Sequence, residues 1–129
     1  MNICVDISLG EFFDKMTILE IKKERIMDEN KLENIRKEYM YLQGLLVDQA
    51  FNISDIESEI SELKQINEKL WVIEDDIREK ERNKVFDGEF IELARSVYIT
   101  NDRRSDVKRE INSKLGSEFV EEKSYEEYQ

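Results

Sequence analysis

Cationic residues in the stretch TNDRRSDVKREIN, residues 100–112, are the first candidates for chemistry in this sequence. Arg103, Arg104, Lys108 and Arg109 lie close together there, in a chain whose formal net charge is −11. Forked guanidinium donors match phosphate, sulfate or carboxylate groups, and they equally match a carboxylate inside a helical core. The stretch therefore predicts either an anion site or a salt-bridged polar layer.

Helical phase turns part of this cluster towards the core. On one continuous last helix, Asn101, Arg104 and Lys108 fall within about 40° of the centre of an apolar stripe. The stripe consists of Phe90, Ala94, Val97, Ile111 and Leu115. We therefore expect Arg104 and Asn101 to face inwards, unless a new helix begins between residues 100 and 105 and resets the phase.

An inward guanidinium requires a partner, because an unpaired buried charge costs several kcal/mol. In the preceding long helix, Glu74 and Asn67 lie on the shoulder of the apolar stripe. The sequence predicts that Glu74 pairs with Arg104, and that Asn67 and Asn101 fill the remaining hydrogen-bond positions. The residues predicted nearer the mouth, as an anion-binding rim, are Arg95, Arg103 and Lys108.

Two acidic pairs suggest a metal site as an alternative. Asp76 with Glu79, and Glu89 with Glu92, have the i, i+3 spacing with which all-helical phosphohydrolases hold Mg²⁺ on facing helices. In a chain with 31 Asp and Glu residues such pairs arise easily by chance. They are therefore the weaker candidates, and no cofactor is predicted.

Composition excludes several classes of function. The chain has no His and a single Cys, so Cys/His metal centres, Ser-His or Cys-His catalysis and an internal disulfide are excluded. Its acidic balance argues against nucleic acid or an anionic membrane as the main partner. Without a long apolar run or a positively charged leader, the chain is expected to be cytoplasmic.

The helices that carry these residues are predicted from start signals and from the scarcity of breakers, with 4 Gly and 0 Pro. Two capping boxes and two single caps mark the starts: Ser8 with Glu11, Ser54 with Glu57, Asp28, and Asp87. Gly116 suits the left-handed position after the last helix. The prediction is a mainly α, antiparallel bundle of four or five helices.

Apolar spacing indicates which helix faces are covered. The helix that runs to about Arg82 is the longest, and it carries a heptad-like series of Leu63, Ile66, Leu70, Ile73 and Ile77. The first helix has one apolar face with Phe12 and Met16, and a second face with Ile18, Ile21 and Asp14. The heptad-like series fits packing within one bundle and also fits a seam shared with a second subunit. The two-sided first helix fits a central position in the bundle, and together the two patterns also suggest a homodimer or another protein partner.

Short arms are predicted at both ends of a single domain, residues 1–129. Residues 1–7 are expected to be extended, residues 8–115 to form the bundle, and residues 116–129 to form an acidic tail. The segment NICVDIS resembles a short strand, and the tail retains four apolar residues, Phe119, Val120, Tyr125 and Tyr128. Pairing of the two arms is the expectation.

Four blocks of the sequence resemble a known family. They are ISLGEFFDKMTILEIKKERI, LWVIEDDIREKE, EFIELARSVYITNDRRSDVKREIN and GSEFVEEKSY. In this order they resemble the motifs of a family of small, mostly helical bacterial and phage proteins catalogued only as a domain of unknown function. The resemblance implies a single helical domain, and it implies no activity, substrate or cofactor.

Three functions remain open at this point. The first is a non-enzymatic interaction or scaffold protein in which a polar layer fixes the register of the helices. The second is a module that binds a small anion such as phosphate through the cationic cluster. The third is a Mg²⁺-dependent all-α phosphohydrolase built on the acidic pairs.

Overall fold

The computed structural model describes residues 1–119 and 121–128, and within them it contains four α-helices and one short 3₁₀ helix. The helices are α1 (Leu9–Arg25), α2 (Glu29–Leu45), the 3₁₀ helix Ile53–Ile56, α3 (Glu57–Arg82) and α4 (Gly88–Leu115). The predicted mainly α fold is confirmed. Because α4 continues without a break through residues 100–105, the described part of the chain has four α-helices rather than five.

Three of the predicted helix starts carry the expected side-chain caps. The side chains of Ser8, Asp28 and Asp87 accept hydrogen bonds from backbone N–H groups three residues later, at 3.0 to 3.1 Å. These bonds satisfy donors that the first helical turn leaves free. At the other end of α4, Gly116 has φ 64°, the left-handed conformation that glycine adopts most easily.

The predicted capping box before α3 is wrong. Asn52 caps the 3₁₀ helix by accepting from Ser54 N–H at 3.1 Å, and α3 then begins at Glu57 without a side-chain cap. Ile56 at this junction is completely buried. The core therefore holds the start of α3 in place, so a cap at this position is unnecessary.

α1 is the central helix, because it packs against α2, α3 and α4. One of its faces places Phe12, Met16 and Leu19 in the main hydrophobic core, and another buries Asp14 and Ile21. Phe13 of α1 is also in this core, and the remaining helices contribute Ile35, Leu42, Ile56, Leu63, Ile66, Val107 and Ile111. The two-sided pattern of α1 is thus satisfied within one chain and gives no argument for a dimer.

α1 and α4 cross at a point where only glycine fits. A Cβ atom on Gly10 would lie 2.5 Å from the Lys108 carbonyl oxygen of α4. In that close approach Gly10 N–H donates to Asn112 Oδ1 at 2.7 Å, and Leu9 N–H donates to Ser117 Oγ at 3.2 Å. The end of α4 therefore supplies acceptors for the first free N–H groups of α1.

Where the structure describes them, the two arms do not pair with each other as a sheet. Residues 1–7 have no helix or strand and are exposed. The described part of the tail returns along α4, where the rings of Tyr98 and Tyr128 lie 5.1 Å apart. The strand pairing predicted for the arms is therefore wrong, and the expected packing of Val120 lies outside the described residues.

α3 and α4 form a helical hairpin that extends beyond the core. We call residues 71–99 the distal hairpin; it comprises the end of α3, the turn and the start of α4. Of its residues only Ile73 is buried. At its tip, Lys80 Nζ lies 3.2 Å from Asp87 and 3.1 Å from Glu89 across the turn.

Across the described residues, the helices are too short or too polar to span a bilayer. The predicted cytoplasmic location stays a prediction.

Candidate functional site

Asp14 is the centre of a buried polar cluster between α1, α3 and α4. Its side chain is 1% exposed, and both of its carboxylate oxygens are bound. Arg104 Nε of α4 donates to Oδ1 at 2.9 Å, and Arg104 Nη2 donates to Oδ2. This two-bond arrangement has the geometry that makes arginine–carboxylate pairs strong and directional.

Asn67 of α3 completes the cluster. Its Nδ2 donates to Asp14 Oδ1 at 2.9 Å and to Thr17 Oγ1 at 3.0 Å. Thr17 Oγ1 in turn donates to the Asp14 carbonyl at 2.8 Å, which keeps the hydroxyl within the turn of α1. The cluster therefore joins three helices through hydrogen bonds that satisfy the buried carboxylate, as a buried charge requires.

The ion pair also sets the electrostatics of Arg104. The hydrogen bonds to Asp14 raise the pKa of the Arg104 guanidinium above its ordinary value, while burial acts in the opposite direction. Arg104 is therefore a permanent cation whose charge is balanced at the bottom of the site.

The predicted partner of Arg104 is wrong. Glu74 faces solvent and lies 3.1 Å from Arg78 Nε in its own helix. Asn101 is closer to its predicted place, with Oδ1 3.5 Å from Arg104 Nη1, a distance at the long limit of a hydrogen bond. The structure thus brings Asn67, Arg104 and Asn101 together, but the carboxylate comes from α1.

Lys108 lies beside this cluster and is held by two carboxylates. Its Nζ donates to Glu11 at 2.8 Å and to Glu121 at 2.6 Å, and its side chain is 7% exposed. Burial acts to lower the pKa of Lys108, but these two carboxylates outweigh burial and raise the pKa above its ordinary value. Lys108 therefore fixes the tail to α1 and α4. It does not lie at the open mouth of an anion site, where the sequence placed it.

The remaining predicted rim residues are also paired. Arg103 Nε donates to Glu62 of α3 at 2.7 Å, and Arg103 Nη1 lies 3.6 Å from Glu110. Arg95 binds Glu92 at 2.9 Å in the distal hairpin, away from the buried cluster. The structure therefore does not assemble Arg95, Arg103 and Lys108 into one anion-binding rim.

An open groove lies over Arg104. Its volume is about 510 Å³, and its lining includes Ile18, Trp71 and Asn101, with Lys22 and Glu74 contributing opposite charges. Of the five guanidinium N–H groups of Arg104, Asp14 binds two and a third approaches Asn101. Among residues 1–119 and 121–128, the other two donors of this side chain, which forms part of the groove, have no hydrogen-bond partner.

The acidic pairs proposed as metal ligands do not converge. Glu79 lies 3.5 Å from Arg82, Glu89 binds Lys80, and Glu92 binds Arg95. Asp76 is exposed on α3. In the described ranges 1–119 and 121–128, no three carboxylate or thiol side chains are grouped closely enough to hold a metal ion.

Sequence reasoning missed Asp14 and Thr17 as members of the cluster. The signal was present, because Asp14 shares a face of α1 with the buried Ile21 and a lone acidic residue on an apolar face demands a cation. A second missed pair is the bond from Lys114 Nζ to the buried Glu59, which ties α4 to α3 at the opposite end of the core.

Comparisons with known proteins add family information alone. The model of a family of unknown function, DUF6165, matches residues 3–128. Neither the curated proteins nor the solved structures contain a match. The resemblance predicted from the four sequence blocks, to an uncharacterised family, is confirmed.

Proposed function

We propose that this chain, which belongs to the DUF6165 family of unknown function, is a non-enzymatic interaction module. Its polar cluster fixes α1 against the α3–α4 hairpin, and its distal hairpin binds a protein partner. The observation that carries the proposal is the contrast between a charge-balanced interior and a distal hairpin that exposes large apolar side chains outside the core.

The interior supports a structural role for the polar residues. Asp14 receives three hydrogen bonds from Arg104 and Asn67, and its side chain is 1% exposed, so the carboxylate is closed off from a substrate. A buried ion pair of this kind specifies helix register more than it adds stability, since desolvation offsets much of its attraction. Its chemistry therefore favours positioning over catalysis.

The distal hairpin supplies the surface for a partner. Large apolar side chains along it are exposed: Val72, Val85, Phe86, Ile91, Tyr98 and Ile99. Contact surfaces of proteins are rich in such aromatic and aliphatic side chains, and charged residues form their rim. The ion pairs of the distal hairpin, such as Arg95 with Glu92, provide that rim.

A site-specific photocrosslinker tests the surface directly. We expect a photoreactive residue at Ile91 to give one discrete crosslinked protein in the native cell extract. A matched probe at the exposed Lys37 of α2 should give none. Equal labelling from both positions, or none from either, contradicts the proposal, as does Mg²⁺-dependent hydrolysis of a nucleoside triphosphate by the purified protein.

A second candidate function is binding of a small anion in the groove over Arg104. The favouring observation is the pair of open Arg104 N–H groups, together with the nearby Lys22 and Trp71. Phosphate or sulfate is expected to raise the melting temperature of the parent protein, and to raise it less in Lys22→Ala than in the control Lys37→Ala. An equal response of the two variants contradicts this site.

A further inference from the structure

The N-terminal arm, residues 1–7, has the sequence pattern of a strand, although it is exposed and is not paired with another strand. Met1, Ile3, Val5 and Ile7 are exposed by 123%, 88%, 73% and 40%. They alternate with Asn2, Cys4 and Asp6, which is the period of a strand with one apolar face. Within the described residues, no backbone hydrogen bond outside the helices involves residues 1–7. Such an unpaired segment is a template for pairing with another strand.

We propose that the N-terminal arms of two copies of this chain pair as an antiparallel two-stranded ribbon and so form a homodimer. The geometry of an isologous interface requires that residue i faces residue j of the partner and that j faces i. This inference goes beyond the proposed function, because it involves neither the distal hairpin nor the polar cluster.

The arm is self-complementary in one register. When Cys4 faces the partner's Cys4, Met1 faces the partner's Ile7 and Ile3 faces the partner's Val5, so all the apolar side chains lie on one face. A shift by two residues that places Val5 opposite the partner's Val5 brings Met1 opposite Leu9, where α1 has already begun, and so loses an apolar pair. On the other face Asn2 meets the partner's Asp6, which avoids opposing like charges.

The apolar face of the ribbon needs cover, because two strands alone are marginally stable in water. The arm joins α1 at Ser8, and the same end of the molecule carries Phe119, whose side chain is half exposed. Leu9 N–H donates to Ser117 Oγ, which donates to the Phe119 carbonyl at 3.1 Å. These bonds hold Phe119 close to the start of α1, where the paired arms emerge.

The position of Cys4 provides the test. Cys4 is exposed and is the one cysteine of the chain. Residues opposite each other in an antiparallel pair have Cα atoms about 4.5 to 5.5 Å apart, a separation that a disulfide spans. Mild oxidation is therefore expected to convert the dimer into a covalent dimer through Cys4.

The experiment compares the parent protein with Val5→Asp and with a moved cysteine. In reducing buffer at high micromolar concentration, light scattering should give twice the 15.5 kDa chain mass for the parent. Val5→Asp should weaken association by at least about tenfold, because a symmetric interface contains the substitution twice. It should also lose most of the oxidative crosslink, although its Cys4 is retained. Cys4→Ser with Lys37→Cys should stay dimeric and crosslink poorly.

Strand direction is tested by mixing single-cysteine proteins. In a Cys4→Ser background, Asn2→Cys and Asp6→Cys should crosslink with each other several-fold more than either does with itself. The proposal is overturned if the parent is a 15.5 kDa monomer, if Val5→Asp associates as tightly as the parent, or if self-crosslinks predominate. The dimer should also form in Ile91→Asp. A failure to dimerise can therefore be distinguished from a failure of the distal hairpin to bind a partner.

Discussion

The two parts of the α3–α4 hairpin use similar residues in different surroundings. Near the core, which we call the proximal hairpin (residues 57–70 and 100–115), Leu63, Val107 and Ile111 are completely buried. In the distal hairpin only Ile73 is buried, although apolar residues recur there at the same helical spacing. The difference arises because α1 packs against the proximal part, where its Asp14 binds Asn67 of α3 and Arg104 of α4. Apolar periodicity therefore predicts which face of a helix is apolar, but it does not predict which element packs against that face.

The ion pairs of the two parts differ in the same way. In the proximal hairpin, Arg104 reaches a fully buried carboxylate on another helix, and Lys114 reaches the buried Glu59. In the distal hairpin, Arg95 pairs with a neighbour on its own helix and both partners face water. Desolvation makes the first kind costly to break, while solvent screening makes the second kind nearly neutral.

The largest expected effect separates these two kinds of arginine. Arg104→Ala should lower the free energy of unfolding by about 3–5 kcal/mol, because it strands the buried carboxylate of Asp14. The measurement is the urea midpoint at constant m-value. Arg95→Ala, the matched control, should leave the midpoint almost unchanged.

A rescue variant identifies the stranded group. Adding Asp14→Asn to Arg104→Ala removes the unpaired charge and should recover part of the lost stability. If Arg104→Ala is as stable as Arg95→Ala, the buried cluster does not hold the helices together. The ion pairs of the proximal and the distal hairpin would then not differ in their contribution to stability.

A smaller effect is expected where α1 touches the proximal hairpin. In Gly10→Ala the new Cβ would meet the Lys108 carbonyl at 2.5 Å, so α1 has to move away from α4. We expect a loss of about 1–3 kcal/mol, as for other overpacked contacts, measured by urea unfolding. Gly44→Ala is the control, because α2 has open space at this position and alanine favours a helix by about 0.5–1 kcal/mol. Destabilisation of both variants alike would argue against a specific α1–α4 contact.

Local signals were enough to predict most of the fold. Ser8, Asp28 and Asp87 act within one helical turn, and Gly116 acts on its own backbone, so their roles depend little on tertiary structure. The predicted cap of α3 was wrong because the burial of Ile56 replaces a cap there. A helix start that is held by core packing cannot be predicted from the residues next to it in the sequence.

The site was predictable in part for the same reason. Helical periodicity correctly predicted that Arg104 and Asn67 face the interior, because this periodicity is a property of a single helix. The choice between Glu74 and Asp14 as the partner of Arg104 depends on how helices pack, and phase does not determine that. Trp71 and Lys22 line a groove whose existence likewise follows from packing alone.

A pH titration tests the proximal ion pair formed by Glu59. The hydrogen bond from Lys114 lowers the pKa of Glu59 below its ordinary value of 4.5, although burial opposes this. A carboxyl group whose folded-state pKa is depressed stabilises the protein above its unfolded pKa, and that contribution is lost as the pH falls through the folded value. Glu59→Gln should therefore be less stable than the parent at pH 7, and the difference should shrink as the pH falls from 4.5 through the folded-state pKa.

The distal carboxylate Glu74 is the control for this titration. It pairs with Arg78 in solvent, so Glu74→Gln should match the parent across the same pH range in urea unfolding. A Glu59→Gln deficit that stays unchanged throughout the acid titration of the folded protein would show that its cause is packing and not charge.

The smallest expected effect lies at Ile91, on the outside of the distal hairpin. Its side chain is 55% exposed, so Ile91→Asp should change the free energy of unfolding by no more than about 0.5 kcal/mol. In the same helix Ile111 is completely buried, and Ile111→Ala should cost about 2–5 kcal/mol through the cavity that it leaves. Amide exchange should show the same gradient within α4, because residues 88–99 have few buried contacts to limit local opening. If Ile91→Asp is as destabilising as Ile111→Ala, or if both segments exchange equally slowly, then the distal hairpin is packed like the proximal one. In that case its apolar side chains would serve folding and would not be free to bind a partner.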